Sequence, residues 1–145
     1  MKKFILIIAI ITAILGLSYG YWMYNKPHEN IEKSKISAHF QANELMASME
    51  GDAEDLKLSL QNQVISVEGD VKNISRTDEQ YLVSFDNGGD YIVLAYFKDD
   101  LSELNEIKEG DKIKFKGKYA GVIINDEDFM IPADIKVENC YLINE

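Results

Sequence analysis

The sequence predicts a mainly β fold. A five-stranded barrel carries one short helix between its third and fourth strands, and one or two short helices and an N-terminal transmembrane helix precede it. Three observations lead there. Residues 4–17 form an apolar run without a charge. From Val64 onward apolar and polar residues alternate with period two, the mark of half-buried strands. One later segment, 101–107, breaks that alternation with apolar residues at helical spacing.

The apolar run reads FILIIAIITAILGL, followed by SYGYWMY. From Phe4 to Tyr24 a helix would extend roughly 31 Å at ~1.5 Å per residue, enough for a bilayer's hydrocarbon core. Tyr19, Tyr21, Trp22 and Tyr24 gather at one end, as an interfacial aromatic belt does, and Lys2 and Lys3 sit at the other. The positive-inside rule then puts the N-terminus in the cytoplasm and the rest of the chain outside. The expected localisation is single-pass in the cytoplasmic (inner) membrane, with a periplasmic or extracellular domain. The rival is a cleaved signal peptide, for which Gly16-Leu17-Ser18 or Ser18-Tyr19-Gly20 offers a small-x-small site. The length of the run and the aromatic cluster favour retention. No cysteine follows the run, which excludes a lipoprotein anchor.

The expected organisation is therefore an anchor at 1–25, a polar tether at 26–40 and a barrel domain with a helical extension at 41–145. Leu45, Met46 and Met49 recur at helical spacing and predict a helix over 42–49. A second is predicted over 53–60, with Asp52 as a candidate cap. Their apolar stripe is expected to pack on the barrel. Val64, Ile65, Val67, Gly69 and Val71 make the first strand, with Gly69 suited to a bulge or bend. A polar loop, SRTDEQ, leads to a second strand, Tyr81–Phe85. Asp86–Asp90, DNGGD, is a hairpin turn signal because Asn and Gly tolerate positive φ. Tyr91–Phe97 is a third strand, apolar on both faces, so the helices at 42–60 are expected to cover its outer side. Leu101, Leu104 and Ile107 form the short helix, with Asp99 or Asp100 as its start and Gly110 as its stop. KIKFKGKYAGVII is the fourth strand, and Asp134–Ile143 is the fifth. Five strands with a helix between the third and fourth is the OB order, a partly open Greek-key barrel. An SH3-like barrel is the structural rival.

VISVEGDVKNI, the hairpin into YIVLAYF, LSELNEIKEGDKIKFKGKYAG and IKVENCYLI, together with MYNKPHENI at residues 23–31, resemble a bacterial family of small OB-fold proteins. This is the tRNA-anticodon-binding-like family, common in Bacteroidetes, whose members typically begin with an apolar helix. The resemblance spans nearly the whole chain. It implies an OB architecture and carries over no catalytic residue.

Charge weighs against the anticodon role in that family name. The chain has 15 basic and 25 acidic side chains, a net charge of −10. Setting aside Lys2, Lys3 and Lys26 leaves 12 against 25, or −13 for residues 27–145, where nucleic-acid binders show the opposite balance. Against this stands a row of lysines at 112, 114, 116 and 118. In an OB barrel Lys112, Lys114 and Lys116 could track a phosphate backbone while Tyr81, Tyr91, Tyr96 or Phe129 stack bases. The alternative is that the lysines pair with Glu68, Asp70 or Asp86 across strands.

Asn125, Asp126, Glu127 and Asp128 form an acidic loop without the spacing or glycine of a calcium-binding EF-hand. Cys140 lies in an apolar run and reads as a buried small hydrophobe, and His28 and His39 both precede the barrel. No Ser/His/Asp set, phosphate loop or metal-ligand spacing is visible, so the expectation is a non-enzyme without metal or cofactor. Its expected role is a membrane-anchored binding module for an envelope protein, peptide or saccharide. Nucleic-acid binding is the alternative. The OB ligand surface would comprise the second and third strands with the loops at 75–80 and 123–132.

Overall fold

The computed structural model describes residues 2–24, 31–51, 53–77, 80–98, 102–125 and 131–143. The side chains of residues 2–10, 13, 22, 98, 102 and 103 lie outside that description. The chain forms two units, Met1–Asn30 and Ile31–Glu145.

The first unit holds a single helix, α1, over Lys2–Tyr24. This is the segment expected to be the membrane helix. Among the residues with described side chains, no helix is long and apolar enough to cross a membrane.

The second unit is one sheet of seven strands rather than five. The strands are β1 (Ala38–Gln41), β2 (Val64–Asp70), β3 (Asn73–Arg76), β4 (Gln80–Asp86), β5 (Tyr91–Lys98), β6 (Lys112–Ile123) and β7 (Ala133–Leu142). Their order in the sheet is β1-β2-β6-β7-β5-β4-β3. Among the described residues the sheet is open, and no ladder joins its two ends. It nevertheless curls, because β2 and β3 lie near opposite ends of that order yet are separated in sequence only by Val71 and Lys72. Val71 N–H donates to Asp111 O at 2.9 Å, toward β6, while Lys72 N–H donates to Ser84 O at 2.8 Å, on β4. The predicted first strand is thus β2, after which the chain bends into β3, a strand not predicted from the sequence, and the bend carries the chain from near one end of the ladder to the other.

Two further departures concern the N-terminal part. Residues 31–40, read as tether from their polar composition, belong to the folded unit. Ile31, in a 3₁₀ turn Ile31–Lys33, is 2% exposed. The strand β1 then adds to the sheet edge in parallel with β2, pairing His39 with Ser66 and Gln41 with Glu68. The predicted helices are present as α2 (Ala42–Ser48) and α3 (Glu54–Leu60). They do not cover the outer face of β5. Instead Leu45, Met46 and Met49 of α2 enter the same core as the inward residues of the sheet. Tyr119 O–H, on the inner face of β6, points at Met49 Sδ at 3.9 Å. The close approach of α2 to β2 explains Gly69, where a Cβ would stand 2.6 Å from Ala42 Cβ.

The short helix expected after the third strand is a 3₁₀ turn, Ser102–Asn105. Buried Leu104 and part-buried Ile107 pack into the core from it. Gly110, at φ 90°, donates its N–H to Val71 O at 2.8 Å, so positive φ is what lets the chain turn back into β6. At the centre of the core Phe115 stacks on Phe85 at 5.4 Å and meets Phe97 edge-on at 5.5 Å.

Candidate ligand-binding surface

The strand β6 alternates strictly: Ile113, Phe115, Gly117 and Tyr119 point inward, and the four lysines point outward. The register decides what those lysines meet. Lys112 lies opposite Asp70 and Lys114 opposite Glu68 on β2, and Lys118 lies opposite Glu138 on β7. Lys112 Nζ is 2.9 Å from Glu68 Oε1. The hydrogen bond from Lys112 holds the Glu68 carboxyl below its ordinary pKa, with Lys114 adding to the effect. The same bond raises Lys112. The sign follows directly. A depressed carboxylate adds stability that is complete above its unfolded pKa and fades as acid protonates it. Both groups are solvent-exposed, so the effect is small. Lys116 Nζ donates to the Glu32 carbonyl. The row therefore consists of lysines matched with carboxylates and a backbone carbonyl, and Asp86 takes no part in its cross-strand pairs.

The aromatic candidates separate by strand parity. Tyr81 shares its parity with Val83 and Phe85 and is buried, with its hydroxyl bonded to Asn105 and Arg76 over its ring at 5.1 Å. It is no stacking platform. Tyr91 shares the parity of Val93 and packs against the core. Tyr96 has the outward parity, and Lys136 Nζ sits over its ring at 5.0 Å. Phe129 and the acidic residues 126–128 lie outside the described residues. The expected loop at 75–80 is shorter than predicted, since Ser75 and Arg76 belong to β3 and Gln80 to β4.

Cys140 is fully buried and donates to Val137 O at 3.3 Å, and desolvation pushes its thiol well above the ordinary range. A thiol held protonated in this way is not a nucleophile. It reaches the interior because β7 bulges at Asn139, whose φ is 51°. Among the described residues no cluster of His, Cys, Asp and Glu could hold a metal ion.

Three clefts of the sheet unit are bordered by described residues. One of about 300 Å³ lies beside Tyr96, with Gln80, Lys136, Glu138 and Asn139 around it. A second, about 430 Å³, is rimmed by Glu68, Asp70, Asp86 and Lys112 near the start of α2. The third, about 410 Å³, lies where β1, β2 and β6 run side by side and contains His39, Ser66 and Lys114. Sequence reasoning placed His39 outside the barrel and passed over Ser66. Nothing in the sequence pairs two residues 27 positions apart on a strand as short as β1.

A curled sheet in which a bent first strand borders both the second and fourth strands, with a short turn between the third and fourth, defines an OB-like domain. The match to a family model over residues 1–130 extends that to kinship: the chain belongs to the tRNA_anti-like family. Among solved structures it is similar to a candidate nucleic acid-binding lipoprotein from Klebsiella pneumoniae subsp. pneumoniae. The two are 13% identical, with a TM-score of 0.55, over 82% of this chain and 100% of that one. At that identity the likeness shows the fold alone. An OBody bound to hen egg-white lysozyme matches at 17% identity and TM-score 0.43, over 60% of this chain and 87% of that one. Asparaginyl-tRNA synthetase from Pyrococcus horikoshii matches at 15% and 0.40, over 63% and 22%. These two are too distant to bear on function. No protein of curated function matches the sequence.

Proposed function

We propose that the chain is a non-enzymatic binding module, an OB domain tethered by α1 to the outer side of the cytoplasmic membrane, whose ligand is an envelope protein, peptide or saccharide. The observation that carries the choice of ligand class is the matched lysine row. A phosphate backbone binds through unpaired protein cations that displace its condensed counterions. Here the row faces Asp70, Glu68 and Glu138, the domain carries an excess of 13 acidic charges, and Tyr81 is buried. Support for the tether comes from the sequence of α1. The helix runs unbroken for 23 residues, about 34 Å, and residues 4–17 within it carry no charge.

A reporter fused after Glu145 tests the placement. Alkaline phosphatase at that position is expected to be active and a folding-dependent fluorescent protein dark; the reverse pattern refutes an outward-facing domain. The ligand class is tested by fluorescence anisotropy of the full chain in detergent with labelled single-stranded DNA and RNA. No saturable binding is expected at 150 mM salt. Saturable binding that weakens steeply between low and high salt would instead establish the nucleic-acid reading.

A further inference from the structure

We infer that the cleft between β1, β2 and β6 is a binding site for a neutral, polyhydroxylated ligand, a saccharide. The inference rests on the reading of the domain as a binding module and gives that module a site and a ligand chemistry.

The register builds the site. Side by side on the outer face stand His39 and Ser66, and one step further along stand Gln41, Glu68 and Lys114. Glu44, in the first turn of α2, completes the rim, and all six border the same cleft of about 410 Å³.

Ser66 is the informative member. It is 2% exposed and, tyrosines and Cys140 aside, is the one buried polar side chain among the described residues. Its hydroxyl has no hydrogen-bond partner among them, although it borders the cleft. Burying a hydroxyl without a partner costs about 1–3 kcal/mol, and native structures rarely tolerate this without a reason. A ligand hydroxyl in the cleft supplies the missing bond.

The remaining groups choose the ligand. Ser66, His39, Gln41 and Lys114 offer donors. Glu44 and Glu68 offer acceptors, one Glu44 oxygen already taking Gln41 N–H at 3.2 Å and Glu68 taking Lys112 at 2.9 Å. An anion would meet both carboxylates in a domain that is acidic throughout, and a cation would meet Lys114. A sugar hydroxyl is donor and acceptor at once, so one ring can pair with Ser66 and with Glu44 together. A neutral ligand also escapes the long-range repulsion that a net charge of −13 imposes on anions.

His39 borders the cleft, so its imidazole signal reports on binding there. The full chain in detergent micelles, labelled with ¹³C-histidine, is titrated with glucose, N-acetylglucosamine and their β-linked disaccharides, and separately with sodium sulfate. A saccharide is expected to shift the His39 signal saturably. Ser66→Ala and Lys114→Met should each weaken that binding about tenfold, the size of one lost hydrogen bond, while Tyr96→Ala leaves it unchanged. The inference is overturned if no saccharide moves His39 by about 50 mM, a concentration well above a millimolar Kd. It is overturned equally if sulfate binds at His39 more tightly than every sugar, or if Ser66→Ala binds sugar as well as the native chain. A silent His39 together with an outward-facing reporter discards the cleft and leaves the module. Sugar binding with an inward-facing reporter keeps the cleft and discards the outward placement.

Discussion

Replacing Phe115 with alanine is expected to lower the unfolding free energy by about 3–5 kcal/mol, the cost of removing a fully buried ring whose site cannot collapse. Phe115 is 0% exposed and touches rings from two other strands, Phe85 on β4 and Phe97 on β5. Each ring pair adds about 0.5–1.5 kcal/mol beyond its buried area. A domain of this size has a total stability of about 5–15 kcal/mol, so one substitution removes a large share. Urea unfolding of the full chain in detergent, followed by near-ultraviolet circular dichroism, measures it. A loss under about 1 kcal/mol would mean that the three rings do not organise the core.

Leu45→Ala is expected to cost about 2–5 kcal/mol and to release α2. A helix of seven residues is not stable alone, since nucleation is costly and few bonds follow it. The helicity of Ala42–Ser48 therefore rests on the burial of Leu45, Met46 and Met49, which are 0%, 2% and 0% exposed. The same unfolding measurement, joined to limited proteolysis, reads both effects, with new cleavage between residues 42 and 53. A loss within the ±0.5 kcal/mol of an ordinary surface substitution would show that α2 lies on the domain without plugging it.

The strands β2, β4, β6 and β7 were legible because their sequences alternate apolar and polar residues, the period of two that a strand keeps when one face is drier than the other, and β5 was legible as a short apolar run that follows a turn signal. The two missed strands lack that constraint. In β3, NISR contains one apolar residue, and β1 is four residues of mixed character that pair with β2 only in three dimensions. The helix predicted over 101–107 was read from apolar spacing, which a 3₁₀ turn with Leu104 and Ile107 satisfies equally well. Parity was the signal overlooked at the candidate surface. Tyr81, on the same face as Val83 and Phe85, could have been assigned to the interior from sequence alone. The lysine row was visible, but its neutralisation depends on the pairing of β6 with β2 and β7, which no local pattern encodes. The cleft around Ser66 was beyond reach for the same reason, because half of it arrives with β1.

The position of β1 also bears on the order in which the domain assembles and comes apart. Parallel pairing with β2 requires the chain to travel through α2 and α3 before the partner strand exists, and such non-local closure forms late. The strand is short and bonded along one edge only, which places it at the low end of local stability. Like β3 at the other edge, it is therefore a strand that lets go early, and its departure bares the β2 edge from Ile65 to Glu68. An unpaired edge is a template for another strand. What holds β1 down thus also guards the chain against pairing with its neighbours, and a ligand bridging His39 and Ser66 would fasten that guard in place.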